Sequence, residues 1–145
     1  MSDVHDAVLA ELDAATLYRI LELRSAVFVV EQDCVYLDPD GRDLEPTARQ
    51  LWIERDGDVV ATLRILRDED VAEWRIGRVA TASDARNFGL AAHLMRRALE
   101  ICAEGEVVLN AQLYLRDWYA RFGFVQDGGE FDDDGIPHIP MRLAR

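Results

Sequence analysis

The sequence has 145 residues, half of them hydrophobic, which predicts one folded domain over residues 1–145 and excludes a disordered chain. Its 16 basic residues are all Arg and scattered, and the formal net charge of −12 argues against a nucleic-acid partner. No apolar stretch approaches the roughly 20 residues of a membrane span, and the first residues do not resemble a signal peptide, so we expect a cytoplasmic protein without a membrane partner.

The first third of the chain predicts a helix and then an ambiguous segment. Apolar residues at helical spacing predict a helix over Ala14–Leu23, with Asp13 as its N-cap. The apolar run Ala26–Val30 fits either a helix or a strand. The polar stretch Asp38–Asp43 partly resembles a calcium loop, but its glycine is misplaced, so we interpret it as a turn.

The middle of the chain predicts antiparallel strands. Leu51–Glu54 and Val59–Leu66 are separated by Asp56-Gly57, a strong hairpin signal. Trp74–Thr81 is a further strand whose apolar residues change phase at Gly77-Arg78. Such a change of phase indicates a β-bulge.

The remaining sequence alternates helices and strands. Pro137 and Pro140 favour edge positions in the tail, and an edge strand there leaves room for pairing into a homodimer. Cys34 and Cys102 lie far apart, which does not indicate a disulfide framework. The predicted elements are a helix over Gly89–Ala103, a strand over Val107–Asn110, a helix over Leu113–Phe122 stopped by Gly123, and turns with one or two strands over Phe124–Leu143.

The segment from Val79 to Ala91 carries the clearest indication of a ligand. It runs from a strand through a polar loop into a helix, with Gly89 and Ala91 at the helix entrance. A helix N-terminus presents unpaired N–H groups and partial positive charge, and small residues let its backbone approach a phosphate. Arg86 would add a full charge. The alternative interpretation of this segment is an ordinary strand-to-helix loop that binds no ligand.

The motif Arg86-x-x-Gly89-x-Ala91 resembles the Gln/Arg-x-x-Gly-x-Gly/Ala acetyl-coenzyme A motif of the GNAT N-acetyltransferase superfamily. The segment Leu113–Phe124 is similar to the family's helix that carries a Tyr shortly before Gly-Phe. More narrowly, the chain resembles ElaA-type GNAT proteins. The matching blocks are Arg24-x-x-Val27-Phe28-Val29-Val30-Glu31-Gln32, Ile76-Gly77-Arg78-Val79, Asn110-Ala111-Gln112 and Asp134-Gly135-Ile136-Pro137-His138-Ile139.

The resemblance implies a fold and a cosubstrate. The fold is the α/β (α+β type) GNAT acyl-CoA N-acyltransferase fold, a mixed, mostly antiparallel, twisted sheet flanked by helices. The cosubstrate is acetyl-coenzyme A as acetyl donor, without a metal. Its pantetheine arm would pair with the strand before the motif, and its pyrophosphate would lie on the loop. The implied cofactor-binding residues are Val79, Ala80, Thr81, Arg86, Asn87, Phe88, Gly89, Leu90, Ala91 and Asn110.

Three positions depart from the family pattern. Asn87 stands where the motif often has Gly, although Asn tolerates left-handed geometry better than most residues. Phe88 is bulkier than the polar residue often found there. Gln50 replaces a His that is usual in ElaA-type sequences, which bears on the acceptor side and leaves cofactor binding unaffected.

The resemblance also implies roles in catalysis. Tyr119 would be the general acid that protonates the departing thiolate, and a backbone N–H near Val79-Ala80 would polarise the thioester carbonyl. The alternative for Tyr119 is core packing beside Trp118 and Phe122. The base stays open among Glu31, Asp33 and Glu73. Glu31 and Asp33 are also the candidate substrate-binding residues, because they follow an apolar run that borders the acceptor pocket in this family.

The implied function is acetyl transfer from acetyl-coenzyme A to a primary amine by direct attack in a ternary complex. The acceptor is a small-molecule amine or a protein amine. A non-catalytic acetyl-coenzyme A sensor and an acidic interaction module on the same fold are the alternatives. Asp132–Asp134 near His138 fit a solvated loop better than a metal site.

Overall fold

The computed structural model describes residues 3–145. Its helices are α1 (Ala14–Arg24), a π-helix (Ser25–Glu31), α2 (Leu90–Ile101) and α3 (Arg116–Ala120), with short 3₁₀ turns at Leu9–Glu11, Arg42–Leu44, Ser83–Ala85 and Leu113–Leu115. Its strands are β1 (His5–Val8), β2 (Arg49–Arg55), β3 (Asp58–Asp68), β4 (Glu73–Thr81), β5 (Glu106–Gln112), β6 (Val125–Gln126), β7 (Phe131–Asp133) and β8 (Ile136–Leu143). Within this range, no helix is long and apolar enough to cross a membrane.

The strands of the described chain form one open, mixed sheet. The order is β1-β2-β3-β4-β5-β8-β6, and β7 also pairs with β8. Neighbouring strands are antiparallel except β4 and β5, which are parallel. This confirms the predicted mixed, mostly antiparallel sheet flanked by helices.

Two features of the central strands are confirmed. Asp56 and Gly57 both have positive φ, 54° and 84°, as a two-residue type I′ hairpin turn requires. The register between β3 and β4 shifts at Thr62 and Arg64, and Arg78 takes a φ of 52° in β4. The change of phase in the sequence is therefore a β-bulge.

The first helix begins as predicted and extends further. The backbone N–H of Thr16 donates to Asp13 Oδ1 at 2.7 Å, so Asp13 caps α1. The ambiguous segment is the π-helix, in which the N–H of Gln32 donates to the carbonyl of Val27 at 3.1 Å, five residues back. Short π-helical segments are rare and concentrate at functional sites.

Two predicted helices are shorter in the structure. α2 begins at Leu90, because Gly89 is its N-cap with a left-handed φ of 73°. The helix predicted over Leu113–Phe122 divides into a 3₁₀ turn at Leu113–Leu115 and the five-residue α3. Gly123, with a φ of 99°, follows its last turn as predicted.

The prediction of an edge strand for Pro137 and Pro140 was wrong. β8 lies inside the sheet, between β5 on one side and β6 and β7 on the other. Pro140 accepts a hydrogen bond from Asp127 N at 2.8 Å, so its backbone groups face away from β5. Pro137 lies beyond the last β5–β8 pair, Gln112 with His138. Neither proline interrupts the pairing with β5, and β8 offers no free edge to a second copy.

The two faces of the sheet have separate cores. Leu51 and Ile53 of β2 pack in the cluster that contains the buried residues of α2, whereas Trp52 packs with α1. Because successive side chains of a strand point to opposite faces, α1 and α2 cover opposite faces. We call these the α1 face and the α2 face. Tyr119 belongs to the core of the α2 face.

Candidate active site

The central feature is a cleft where the sheet opens between two parallel strands. β4 and β5 pair over only three residues each, Glu73–Arg75 with Glu106–Val108. Beyond these pairs, the rest of both strands borders a cleft of about 930 Å³. It is lined from both faces of the sheet, by the π-helix on one side and by α2 and α3 on the other. The last part of β4 therefore has no β5 partner and keeps backbone groups for a ligand.

The N-terminus of α2 opens onto this cleft. No side chain caps the helix at Gly89, so its first backbone N–H groups have no partner from the cap residue. Asn87 has a φ of 70°, the left-handed geometry that Asn tolerates. A Cβ added at Gly89 would meet no atom within 4 Å, so the space in front of the helix is open. Open N–H groups at a helix N-terminus suit a phosphate.

The structure places most of the candidate cofactor residues in the cleft and leaves one outside. Phe88 does not line the cleft, and its side chain is 72% exposed. The candidates that line it are Val79, Ala80, Thr81, Arg86, Asn87, Gly89, Leu90, Ala91 and Asn110.

Arg86 connects the loop to the π-helix. Its guanidinium makes a bidentate ion pair with Glu31 and donates to the carbonyl of Thr81 at 3.1 and 3.2 Å. The hydrogen bond from Arg86 lowers the pKa of Glu31, and the same bond raises the pKa of Arg86. Glu31 lines the cleft, whereas the other candidate acceptor residue, Asp33, is exposed and does not. Sequence reasoning did not anticipate this ion pair.

Tyr119 lies against the cleft from the α2 face. It is 6% exposed and packs edge-on against Trp118 and Phe124, with ring centroids 4.9 and 6.3 Å away. Burial raises the pKa of its phenol well above the ordinary value. The hydroxyl therefore keeps its proton at neutral pH, as a general acid must. The packing role and the acid role are compatible in one residue.

The other end of the cleft contains residues to which sequence reasoning gave no role. Gln112 Nε2 donates to Gln32 Oε1 at 3.2 Å, which ties β5 to the end of the π-helix. The thiol of Cys34 lies 3.6 Å from the carbonyl oxygen of Asp134, and burial raises its pKa. His138 completes this end of the cleft. The only sequence signal for Gln32, Gln112 and His138 was membership in the matching blocks, and Cys34 lies outside those blocks.

Comparison with known proteins identifies the fold and the family. The family described as "Acetyltransferase (GNAT) domain" matches residues 36–145. The chain belongs to the GNAT acetyltransferase family. It is 48% identical to a UPF0039 protein of Mycobacterium tuberculosis over 134 residues, covering 90% of this chain and 86% of the relative.

Two crystal structures are similar to this GNAT chain along almost its whole length. An acyl-CoA N-acyltransferase from Pseudomonas aeruginosa has a TM-score of 0.93 and 40% identity, over 99% of this chain and 100% of that one. ElaA from Escherichia coli has a TM-score of 0.92 and 37% identity, over 98% and 99%. The predicted GNAT fold and ElaA-like membership are confirmed, and the family indicates acyl transfer from coenzyme A to an acceptor.

A buried ion-pair network holds one wall of the GNAT cleft. Arg24, which is 0% exposed, donates to Asp38 at 2.8 Å and to Asp43 at 2.9 Å. Arg78 Nε lies 2.8 Å from Asp38, and Arg64 is within 2.7 Å of Asp40. The segment interpreted as a polar turn therefore fixes the bulge of β4 to α1.

Across residues 3–145, no group of three or more His, Cys, Asp or Glu side chains is arranged for a metal ion.

This network predicts a loss of stability in acid. The hydrogen bond from Arg64 holds the pKa of Asp40 far below its usual range. Burial raises the pKa of Asp43, but hydrogen bonding and charge from Arg24 outweigh it, and the net shift is downward. A carboxyl whose pKa is lower in the folded state stabilises the fold above its unfolded pKa of about 3.9 and loses this contribution as pH falls. We expect the free energy of unfolding in urea to decrease steeply below about pH 4.

The matched control for acid unfolding is Asp40→Asn. This variant is expected to be less stable at pH 7 and to lose less stability between pH 7 and pH 3. An equal decrease in the free energy of unfolding between pH 7 and pH 3 in the wild type and in Asp40→Asn would show that Asp40 does not cause the acid sensitivity.

Proposed function

We propose that the protein transfers an acetyl group from acetyl-coenzyme A to a primary amine by direct attack in a ternary complex, in the cytoplasm. The observation that carries this proposal is the cleft itself, which passes through the sheet between β4 and β5. A donor on one side and an acceptor on the other can then occupy it together. Direct transfer needs this simultaneous occupancy.

The residues of the donor side suit acetyl-coenzyme A. This cosubstrate supplies the acetyl group as a thioester. The open N–H groups at Gly89–Ala91 would hold its pyrophosphate, with Arg86 adding a charge after exchange from Glu31. Backbone groups of Val79 and Thr81 would pair with the pantetheine arm. The Asn110 side chain lies across the cleft from them.

The catalytic groups are a backbone donor and Tyr119. A backbone N–H at Val79-Ala80 stabilises negative charge that develops on the carbonyl oxygen. The Tyr119 hydroxyl gives its proton to the departing sulfur, and burial keeps that proton in place until transfer. The bulge at Arg78 sets the direction of these backbone groups, because it changes the phase of the strand just before them.

The acceptor side suits a cationic amine. Asp133 and Asp134 line the cleft, and the net charge of −12 attracts cations to the whole molecule. A small-molecule amine or a protein amine fits this chemistry. Either one arrives protonated near neutral pH and has to lose a proton before it can attack.

The first test is thermal unfolding with and without acetyl-coenzyme A. At 100 times its dissociation constant, a ligand adds about 2.7 kcal/mol to stability. For a domain of this size we expect a rise in Tm of about 5–10 °C. Gly89→Asp places a carboxylate in the open space before α2, where it repels phosphate, so this variant should show no shift.

The outcomes separate the candidate functions. A shift in the wild type that Gly89→Asp abolishes, together with amine-dependent thiol release, supports an acetyltransferase. The same shift without thiol release from any amine favours a sensor. No shift in the wild type at saturating acetyl-coenzyme A contradicts both and favours an interaction module.

A further inference from the structure

His138 faces the cleft from the side opposite Tyr119. It lies directly across from Gln112 in the β5–β8 pairing, and directly opposed residues share a face of the sheet. Gln112 points away from the core of the α2 face, where Ala111 is buried, and bonds to Gln32 at the end of the π-helix. His138 therefore lies on the α1 face.

The hydrogen bonding of His138 determines which ring nitrogen carries the proton. Its Nδ1 lies 2.8 Å from the carbonyl oxygen of Ile136. A carbonyl oxygen only accepts, so Nδ1 is the donor, and Nε2 carries the lone pair in the neutral ring. Phe131 stacks on the imidazole at 5.7 Å with an interplanar angle of 25°, which holds the ring in place. The residue thus presents a basic nitrogen in a fixed orientation.

The three carboxylates that the sequence suggested as bases are less suitable than His138. Glu31 is occupied by Arg86, which lowers its pKa and weakens it as a base. Asp33 is exposed and does not line the cleft. Glu73 accepts from Arg142 at 2.8 Å and lies at the closed end of the β4–β5 pairing, away from the cleft lining.

We infer that His138 is the general base that deprotonates the acceptor amine. This inference rests on the proposed acetyl transfer. Nε2 takes one proton from the ammonium group, and the nitrogen lone pair released in this way forms the N–C bond while the C–S bond breaks. Tyr119 gives its proton to sulfur and recovers one from the new amide nitrogen. The imidazolium then returns its proton to solvent, so the sum is one amide, one thiol and one released proton.

The placement on opposite faces supports this division of roles. A base has to meet the incoming nitrogen, and an acid has to meet the departing sulfur on the other side of the carbonyl carbon. His138 and Tyr119 line the same cleft from the α1 face and the α2 face. Asp133 and Asp134, which also line it, favour a cationic acceptor.

The test uses His138→Asn with two kinds of acceptor. The Asn amide nitrogen can replace the Nδ1 donor to Ile136 but provides no base at the position of Nε2. The first acceptor is the best alkylamine from a panel of aliphatic diamines and lysine peptides with acetylated N-termini, whose amines are protonated near neutral pH. The second is methoxyamine, which is already neutral there. We expect kcat/KM to fall about 10²–10⁴-fold with the alkylamine and only a few-fold with methoxyamine.

The control is acetyl-coenzyme A binding by thermal shift, which the variant should retain. An equal loss with both amines would show a structural role and overturn the inference. Retained activity with the alkylamine would overturn it as well. If the wild type acetylates neither amine, the proposed acetyl transfer fails, and the assignment of the base fails with it.

Discussion

Tyr119→Phe is expected to lower kcat about 10²–10⁴-fold while binding of acetyl-coenzyme A is retained. The substitution removes only the hydroxyl, so the edge-on packing against Trp118 and Phe124 persists. The departing thiolate then lacks its proton donor. Steady-state thiol release with the best amine of the panel gives kcat, and the thermal shift gives the binding of the donor.

Tyr18→Phe is the matched control, because Tyr18 is exposed on α1 and does not line the cleft. It should leave kcat unchanged. A Tyr119→Phe enzyme with wild-type kcat would assign Tyr119 to packing alone.

Arg24→Leu is expected to reduce the free energy of unfolding by about 3–5 kcal/mol. The Arg24 side chain is buried beside Asp38 and the partly buried Asp43, and its removal takes one of two cationic partners from each carboxylate. Removing one partner of a buried ion pair costs more free energy than the intact pair contributes, because the remaining charge stays desolvated. Urea unfolding at pH 7 measures this loss.

Arg19→Ala on the same helix provides the comparison. Arg19 makes an exposed i,i+3 pair with Glu22 at 3.0 Å, and such pairs contribute about 0–1 kcal/mol. Equal losses for the two variants would mean that burial of Arg24 does not determine its contribution. Because Arg78 at the bulge shares Asp38 with Arg24, the Arg24→Leu protein should also bind acetyl-coenzyme A less tightly.

The elements that could be predicted are those with signals confined to a few neighbouring residues. Asp56-Gly57 predicts its hairpin because both positions need positive φ. Asp13 predicts the start of α1 because its side chain caps a nearby N–H. The phase change at Gly77-Arg78 predicts the bulge. The resemblance to the GNAT family supplied the fold and the proposed role of Tyr119, which local patterns alone did not determine.

The features that could not be predicted depend on residues distant in sequence. The partners Arg86 and Glu31 are 55 positions apart, so the motif that indicated Arg86 for a phosphate gave no sign of its ion pair. Pro137 looked like an edge residue because β6 and β7, only two and three residues long, carry almost no strand signal. His138 was passed over because its role depends on a backbone carbonyl and on the face of the sheet, which require the register of β8.

The position of β8 also determines the order in which the sheet can form. The β2–β3 hairpin closes around two residues, whereas the β5–β8 pairs join positions 26 to 36 residues apart, from Gln112–His138 to Val107–Leu143. Closing a longer loop costs more chain entropy, and non-local pairs of this kind slow folding. The donor wall of the cleft includes β4, whose pairs with β3 join positions only 5 to 20 residues apart. We therefore expect this wall to form before β8 brings His138 to the cleft.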